Sequence, residues 1–197
     1  MPERDLWNSD DPAAWRAALD GYERVVDAQG VGRLAELDRW YRDELPPAIA
    51  ARKTAHVTHH ELVRMTEWKM ARGVWRARNL ALVRGNTDAD VERTSAEALA
   101  EVPHPTKPIS ILARLAGVGP ATASAVAAAA APAVYPFFDE LVAAQIPAFG
   151  SVAFSLKEYG AYAAALRERA ESLGGEWTPV DVERALWANS GGKAGAR

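Results

Sequence analysis

Leu115-Ala116-Gly117-Val118-Gly119-Pro120-Ala121-Thr122-Ala123, followed after a short interval by Tyr135-Pro136-Phe137-Phe138-Asp139, is the stretch on which the reading of this chain turns. An apolar helix end, Ile109 to Leu115, cannot continue through two glycines, which reach positive φ and let another backbone come close. Pro120 then presets φ for the first position of a new helix, where its missing N–H costs nothing. That helix, predicted from Pro120 to about Ala131, is nearly all small residues, so a neighbour is expected to pack on it closely. Its first N–H groups are free and point into the hairpin. Such a helix start is an anion site, and phosphate is its usual occupant.

Outward from the hairpin, the pattern predicts helices and no strands. Asp11-Pro12 reads as a capped helix start, and Trp15, Leu19, Tyr22 and Val26 recur at spacings of three and four. Leu34, Leu37 and Tyr41 mark a shorter helix, and Pro46-Pro47 opens another. Thr58-His59-His60-Glu61 has the form of a capping box. On the helix it begins, Trp68, Arg72 and Trp75 would share one face, with Gly73 bending or interrupting the run. Thr87 caps a helix to about Ala100, and Pro103, Pro105 and Pro108 read as a stiff linker. After Asp139 come a short helix to Ala144, a long one from Leu156 to Leu173, and a last one opened by Thr178-Pro179. Residues 191–197 are small and polar and are expected to be a disordered tail. The fold class is all-α, because no stretch shows a period-two pattern of β-branched residues.

Composition narrows the function. The 197 residues suffice for one sizeable core, or for two small helical lobes sharing a cleft. There is no cysteine, so no disulfide framework and no thiolate-built zinc or iron–sulfur site. His56, His59 and His60 are not joined by a carboxylate pattern that would complete a metal site, and none is assigned. No signal peptide or long apolar span is recognisable, so no membrane partner is expected and a cytoplasmic, monomeric protein is. The net charge is −3, yet between Arg52 and Arg84 eight basic residues stand against only Glu61 and Glu67. A basic stripe on an acidic body is an electrostatic footprint for DNA. The same stripe also reads as a solvated helix face.

Leu115-x-Gly117-Val118-Gly119-x-x-Thr122-Ala123, with Asp139 twenty residues beyond Gly119, resembles the helix-hairpin-helix element of the base-excision DNA glycosylase superfamily (HhH-GPD; the endonuclease III, MutY and AlkA kind). The resemblance implies a single domain over 1–190 of two helical lobes with a cleft between them. Residues 58–145 would hold the helix-hairpin-helix lobe, and 1–57 and 146–190 would complete the second. It implies a protein that binds double-stranded DNA, extrudes a damaged or mismatched base and hydrolyses its N-glycosidic bond. Asp139 would be the catalytic carboxylate. Gly117, Val118, Gly119, Ala121 and Thr122, with Arg72 and Arg76, would hold the DNA, and Trp68, Lys69, Tyr135 and Phe138 would line the base pocket. No cofactor is expected. Hairpin carbonyls in the family hold a monovalent cation in some members, a point on which this sequence is neutral.

Three departures qualify the resemblance. Members that also cleave the strand carry a lysine two residues after the second hairpin glycine; here that position is Ala121, which implies a monofunctional enzyme. Glu140 follows Asp139 where better-known members carry threonine or serine, and no cysteine is present for an iron–sulfur cluster. Both point to a less-studied branch, together with the block Glu67-Trp68-Lys69-Met70-Ala71-Arg72-Gly73. Taken alone, Asp139 also reads as a helix N-cap, Trp68 as core, Lys69 as a surface cation, and Tyr135 and Phe138 as core. The competing functions are a non-catalytic DNA or damage binder and a helical protein–protein module whose Gly-Val-Gly turn is only structural.

Overall fold

Side-chain caps set most of the helix starts. Asp11 accepts from the Ala13 amide at 3.0 Å and stands before Pro12 at the head of α1 (Pro12–Asp20). The capping box read at Thr58 forms: its Oγ1 accepts from the Glu61 amide at 3.2 Å, and Glu61 accepts from the Thr58 amide at 2.8 Å, opening α5 (His59–Arg72). Ser155 with Glu158 and Thr178 with Asp181 repeat the device for α11 (Leu156–Leu173) and α12 (Pro179–Asn189). Each such cap satisfies amides that would otherwise have no partner, worth about 1 kcal/mol apiece.

The computed structural model describes residues 5–195, and among them the chain is helical with no strand. After α1 come α2 (Tyr22–Ala28) and α3 (Leu34–Arg39), a π-helical turn over Trp40–Glu44, and α4 (Leu45–Ala50). Beyond α5 lie α6 (Ala77–Arg84), α7 (Asp88–Leu99), α8 (Lys107–Leu112), α9 (Pro120–Ala130) and α10 (Glu140–Ala143). Gly73 ends α5 outright, so Trp75 lies on the connecting loop and not on the face of Trp68 and Arg72. Pro108 is not linker: it sits in the first turn of α8, where a missing N–H is tolerated. Part of the expected disordered tail is ordered. Gly192–Gly195 makes a helical turn (α13), held by the Ala194 amide on Gln29 at 2.9 Å and by Lys193 on Glu140 at 2.7 Å. Residues 196 and 197 lie outside the described residues.

The buried apolar residues form one cluster reaching from Leu6 to Ala188. The N-terminal aromatics enter it as expected, with Trp15, Tyr22 and Tyr41 almost wholly buried. Helix α9 is buried from Thr122 to Ala129, and its small side chains let α4 and α5 lie close. Tyr41 exploits that approach by donating to the Ala125 carbonyl at 2.7 Å.

Charge also enters this core. The Arg72 side chain is 1% exposed; its Nη2 donates to Glu183 of α12, its Nη1 to the Tyr22 hydroxyl at 3.0 Å, and its Nε to Asp139 at 3.2 Å. Arg42, from the π-helical turn, reaches the other Glu183 oxygen at 3.2 Å. Tyr22 and the Trp68 indole both donate to Asp38 at 2.8 Å. Burial pushes the Arg72 guanidinium down, but Glu183, Tyr22 and Asp139 outweigh it and hold the group above its ordinary value. Removing one member of a buried ion pair costs about 3–5 kcal/mol because the other is left uncompensated. Glu183→Ala should therefore lower the melting temperature by roughly 6–20 °C, at roughly 2–4 °C per kcal/mol for a chain of this size. Arg93→Ala, which breaks an exposed pair with Asp90, should leave it nearly unmoved in the same calorimetric scan.

Candidate functional site

A pocket of about 240 Å³ opens where the end of α5, the hairpin before α9 and the segment before α10 meet. Helix α5 contributes Lys69 from its last turn. Gly73, Val74 and Arg76 form the rim, and the hairpin contributes Gly117, Gly119, Pro120, Ala121 and Thr122. Phe137, Phe138, Asp139 and Glu140 close the opposite side.

The two hairpin glycines have different tasks. Gly117 has φ +76°, and a Cβ there would lie 2.6 Å from the Asn79 carbonyl oxygen and 2.9 Å from Leu82 Cβ. It is glycine because α6 packs against it. Asn86 locks the same contact, its Nδ2 donating to the Ala116 carbonyl and its Oδ1 accepting from the Ala116 amide, both at 3.0 Å. Val118 is buried and anchors the turn inward. Gly119 is the open one: its φ of −96° suits any residue, and nothing stands within 4 Å of a Cβ placed on it. As N-cap of α9 it supplies no side-chain cap, and Pro120 supplies no N–H, so the Ala121 and Thr122 amides head the helix next to the pocket.

Asp139 is 8% exposed and caps α10. Its Oδ1 accepts from the Leu141 amide at 2.8 Å and the Val142 amide at 3.4 Å, while Oδ2 accepts from Arg72. The N-cap role and a place on the pocket wall thus coexist. Glu140 is exposed and paired with Lys193. Lys69 is largely buried, and its ammonium is lowered by that burial and by Arg76, with Asp139 opposing. Among the described residues no carboxylate comes within ion-pair distance of it.

Several expected site residues lie elsewhere. Trp68 is not in the base pocket: it is fully buried, stacked on Tyr41 at 3.7 Å between ring centroids. Arg72 cannot meet a phosphate, because the buried network uses its guanidinium. Tyr135 is core, its hydroxyl donating to the His104 carbonyl at 2.8 Å. Phe138 touches the pocket wall, but its ring is packed among Phe154, Tyr159 and Tyr162. Arg76 and Lys69 remain on the pocket, with Gly119, Ala121 and Thr122. No protein-family model, curated protein or solved structure matches the chain.

Function is therefore read from the pocket's own groups, and two of them escaped sequence reasoning. Val74 and Trp75 are 46% and 58% exposed on the loop at the rim, the loop that Gly73 creates. The break at Gly73 was the available signal. His59 faces Asp88 at 3.1 Å and the Val83 carbonyl at 3.1 Å, and among the described residues no three His, Cys, Asp or Glu gather into a metal-holding group.

The division of labour between the glycines is testable by melting alone. Gly117→Ala imposes a left-handed conformation worth about 1–2 kcal/mol on a residue with a Cβ, and adds a backbone clash. Its melting temperature should fall clearly. Gly119→Ser meets neither obstacle and places a good capping residue at the helix start, so it should melt at or above the parent.

Proposed function

We propose that the chain is a monofunctional DNA glycosylase: it holds duplex DNA at the hairpin, receives an extruded base or its sugar in the pocket, and hydrolyses the N-glycosidic bond. What carries this reading is the convergence, on one pocket, of a helix start without a side-chain cap, two cationic side chains and a carboxylate. The Gly119, Ala121 and Thr122 amides suit a backbone phosphate, and the dipole of α9 adds to the attraction. Arg76, exposed on the rim, suits a second phosphate. Trp75, beside it, offers an aromatic face to bases that have left the stack. Base excision requires that departure, since the reacting bond is out of reach within a duplex.

Bond cleavage leaves positive charge on the sugar, and a carboxylate held beside it lowers the barrier. Asp139 would serve, kept in orientation by Arg72 and by the first amides of α10. The hairpin offers no amine, since Ala121 stands where one would be needed. The two-lobe arrangement, a single acting copy and a DNA partner belong to this same proposal.

A second reading, a binder without catalysis, is favoured by one observation. Both Asp139 oxygens are engaged by protein donors, leaving the carboxylate little freedom to turn toward a substrate.

Asp139→Asn separates the two. Asparagine caps helices about as well as aspartate. Here, however, one oxygen faces Arg72 and the other faces backbone amides, so the new NH₂ must oppose a donor on one side. A lower melting temperature is expected, by an unmet hydrogen-bond cost of about 1–3 kcal/mol. If Asp139 acts on the sugar, the folded variant should bind lesion duplex and excise its base roughly a hundredfold to a thousandfold more slowly. Glu140→Gln, which loses only the exposed pair with Lys193, should excise normally. A wild type that binds in a salt-sensitive way but excises nothing from a panel of lesions would establish the binder.

The grip is tested by Gly119→Asp. A carboxylate at that N-cap should raise stability slightly while repelling phosphate, so duplex affinity should drop although the protein melts no lower. Unchanged affinity would remove the hairpin from DNA binding.

A further inference from the structure

Amines on this chain are few. Of its five lysines, Lys53 and Lys157 are exposed, Lys107 is paired with Glu101 at 2.8 Å, and Lys193 with Glu140 at 2.7 Å. Lys69 alone lines the pocket. A buried ammonium normally carries a partner, because an uncompensated charge out of water is costly. This one has none among the described residues, while the carboxylates around it are committed: Asp139 to Arg72 and to amides, Glu140 to Lys193. An amine kept beside another cation and away from water is the arrangement that turns lysine into a nucleophile.

We infer that Lys69 is such a nucleophile, and that its Nζ captures an aldehyde in the pocket as an imine. The class of aldehyde is the ring-opened deoxyribose of an abasic nucleotide, an assignment that rests on the pocket receiving a nucleotide sugar. In the step, the neutral amine adds its lone pair to the aldehyde carbon and forms the N–C bond. The carbonyl oxygen takes up protons and leaves as water, and the protonated imine remains. No oxidant or reductant is consumed, and water reverses the capture. The pocket groups suit each partner: the α9 amides and Arg76 attract the flanking phosphate, and Lys69 stands within the same 240 Å³ as Asp139.

The charged groups facing Lys69 are Arg76 from the rim and Asp139 and Glu140 from the segment opposite, with Arg72 one turn along α5 committed to the core. Burial and Arg76 lower the ammonium while Asp139 raises it, and the balance favours the neutral amine at lower pH than for a free lysine. Capture should therefore proceed near neutral pH, where exposed lysines react poorly.

The test uses the full chain and a duplex carrying a preformed abasic site, so that it does not depend on base excision. Cyanoborohydride reduces the imine to a stable secondary amine, which is read as a covalent complex on a denaturing gel and located by peptide mass mapping. Trapping at pH 7 with the adduct on Lys69 is expected, and Lys69→Arg should lose it at least tenfold while melting like the parent. A second arm uses pyridoxal phosphate, a small aldehyde that needs no DNA binding, followed by the same reduction. Its attachment to Lys69 with no trapping of abasic duplex would support the amine and count against the DNA reading. An adduct on another amine, undiminished trapping in Lys69→Arg, or no Lys69 adduct in either arm overturns the inference.

Discussion

A guanidinium with no route to water must be met on every side by protein, and Arg72 imposes that demand on the whole chain. Its donors are taken by Glu183 of α12, Asp139 ahead of α10 and the Tyr22 hydroxyl of α2, while its flat face lies 4.4 Å from the Trp187 ring centroid. Four elements distant in sequence are therefore fixed to one planar group. Directional bonds do this better than apolar contact, which tolerates sliding. Net stabilisation from such a network is small, since desolvation offsets most of the attraction, and an apolar replacement of equal shape is often no worse. What the network adds is orientation.

Orientation at this point matters because Asp139 belongs both to the network and to the pocket. Its Oδ2 turns toward Arg72, its Oδ1 toward the first amides of α10, and the residue still lines the opening. Helix α5 makes a similar transition along its length. Arg72 points into the core, Lys69 reaches the pocket, and Gly73 then releases the chain to present Val74, Trp75 and Arg76 at the rim. Burial of one side chain thus sets the position of its neighbours at the surface.

Local signals were readable from sequence and distant ones were not. Thr58 with Glu61, Thr87 and Thr178 announce helix starts through contacts three residues apart, and all three cap helices in the structure. The hairpin was legible because two glycines and a proline constrain the backbone by themselves. Arg72 was not legible as core, because its main partner is 111 positions away and a basic residue on a helix ordinarily faces water. Trp68 was misplaced for a related reason: helical spacing identifies a face without saying what covers it, and Tyr41 and Asp38 cover this one. The Lys193 pair with Glu140 was hidden because a short glycine-rich end carries no periodicity to read.

The distribution of charge gives the pocket a sign that the composition conceals. The chain as a whole carries −3, and its buried charges are matched with one another. On the pocket the acidic groups are matched too, Asp139 by Arg72 and Glu140 by Lys193. Lys69 and Arg76 have no carboxylate within ion-pair distance among the described residues, and the start of α9 adds the positive end of a helix dipole with no side-chain cap. Compensated negatives and uncompensated positives leave a local excess of positive potential on an acidic protein. Such an excess in a partly enclosed space is screened less than the same charges on an open surface. An anionic ligand is the partner that removes it, and the hairpin amides fix where its phosphate would sit.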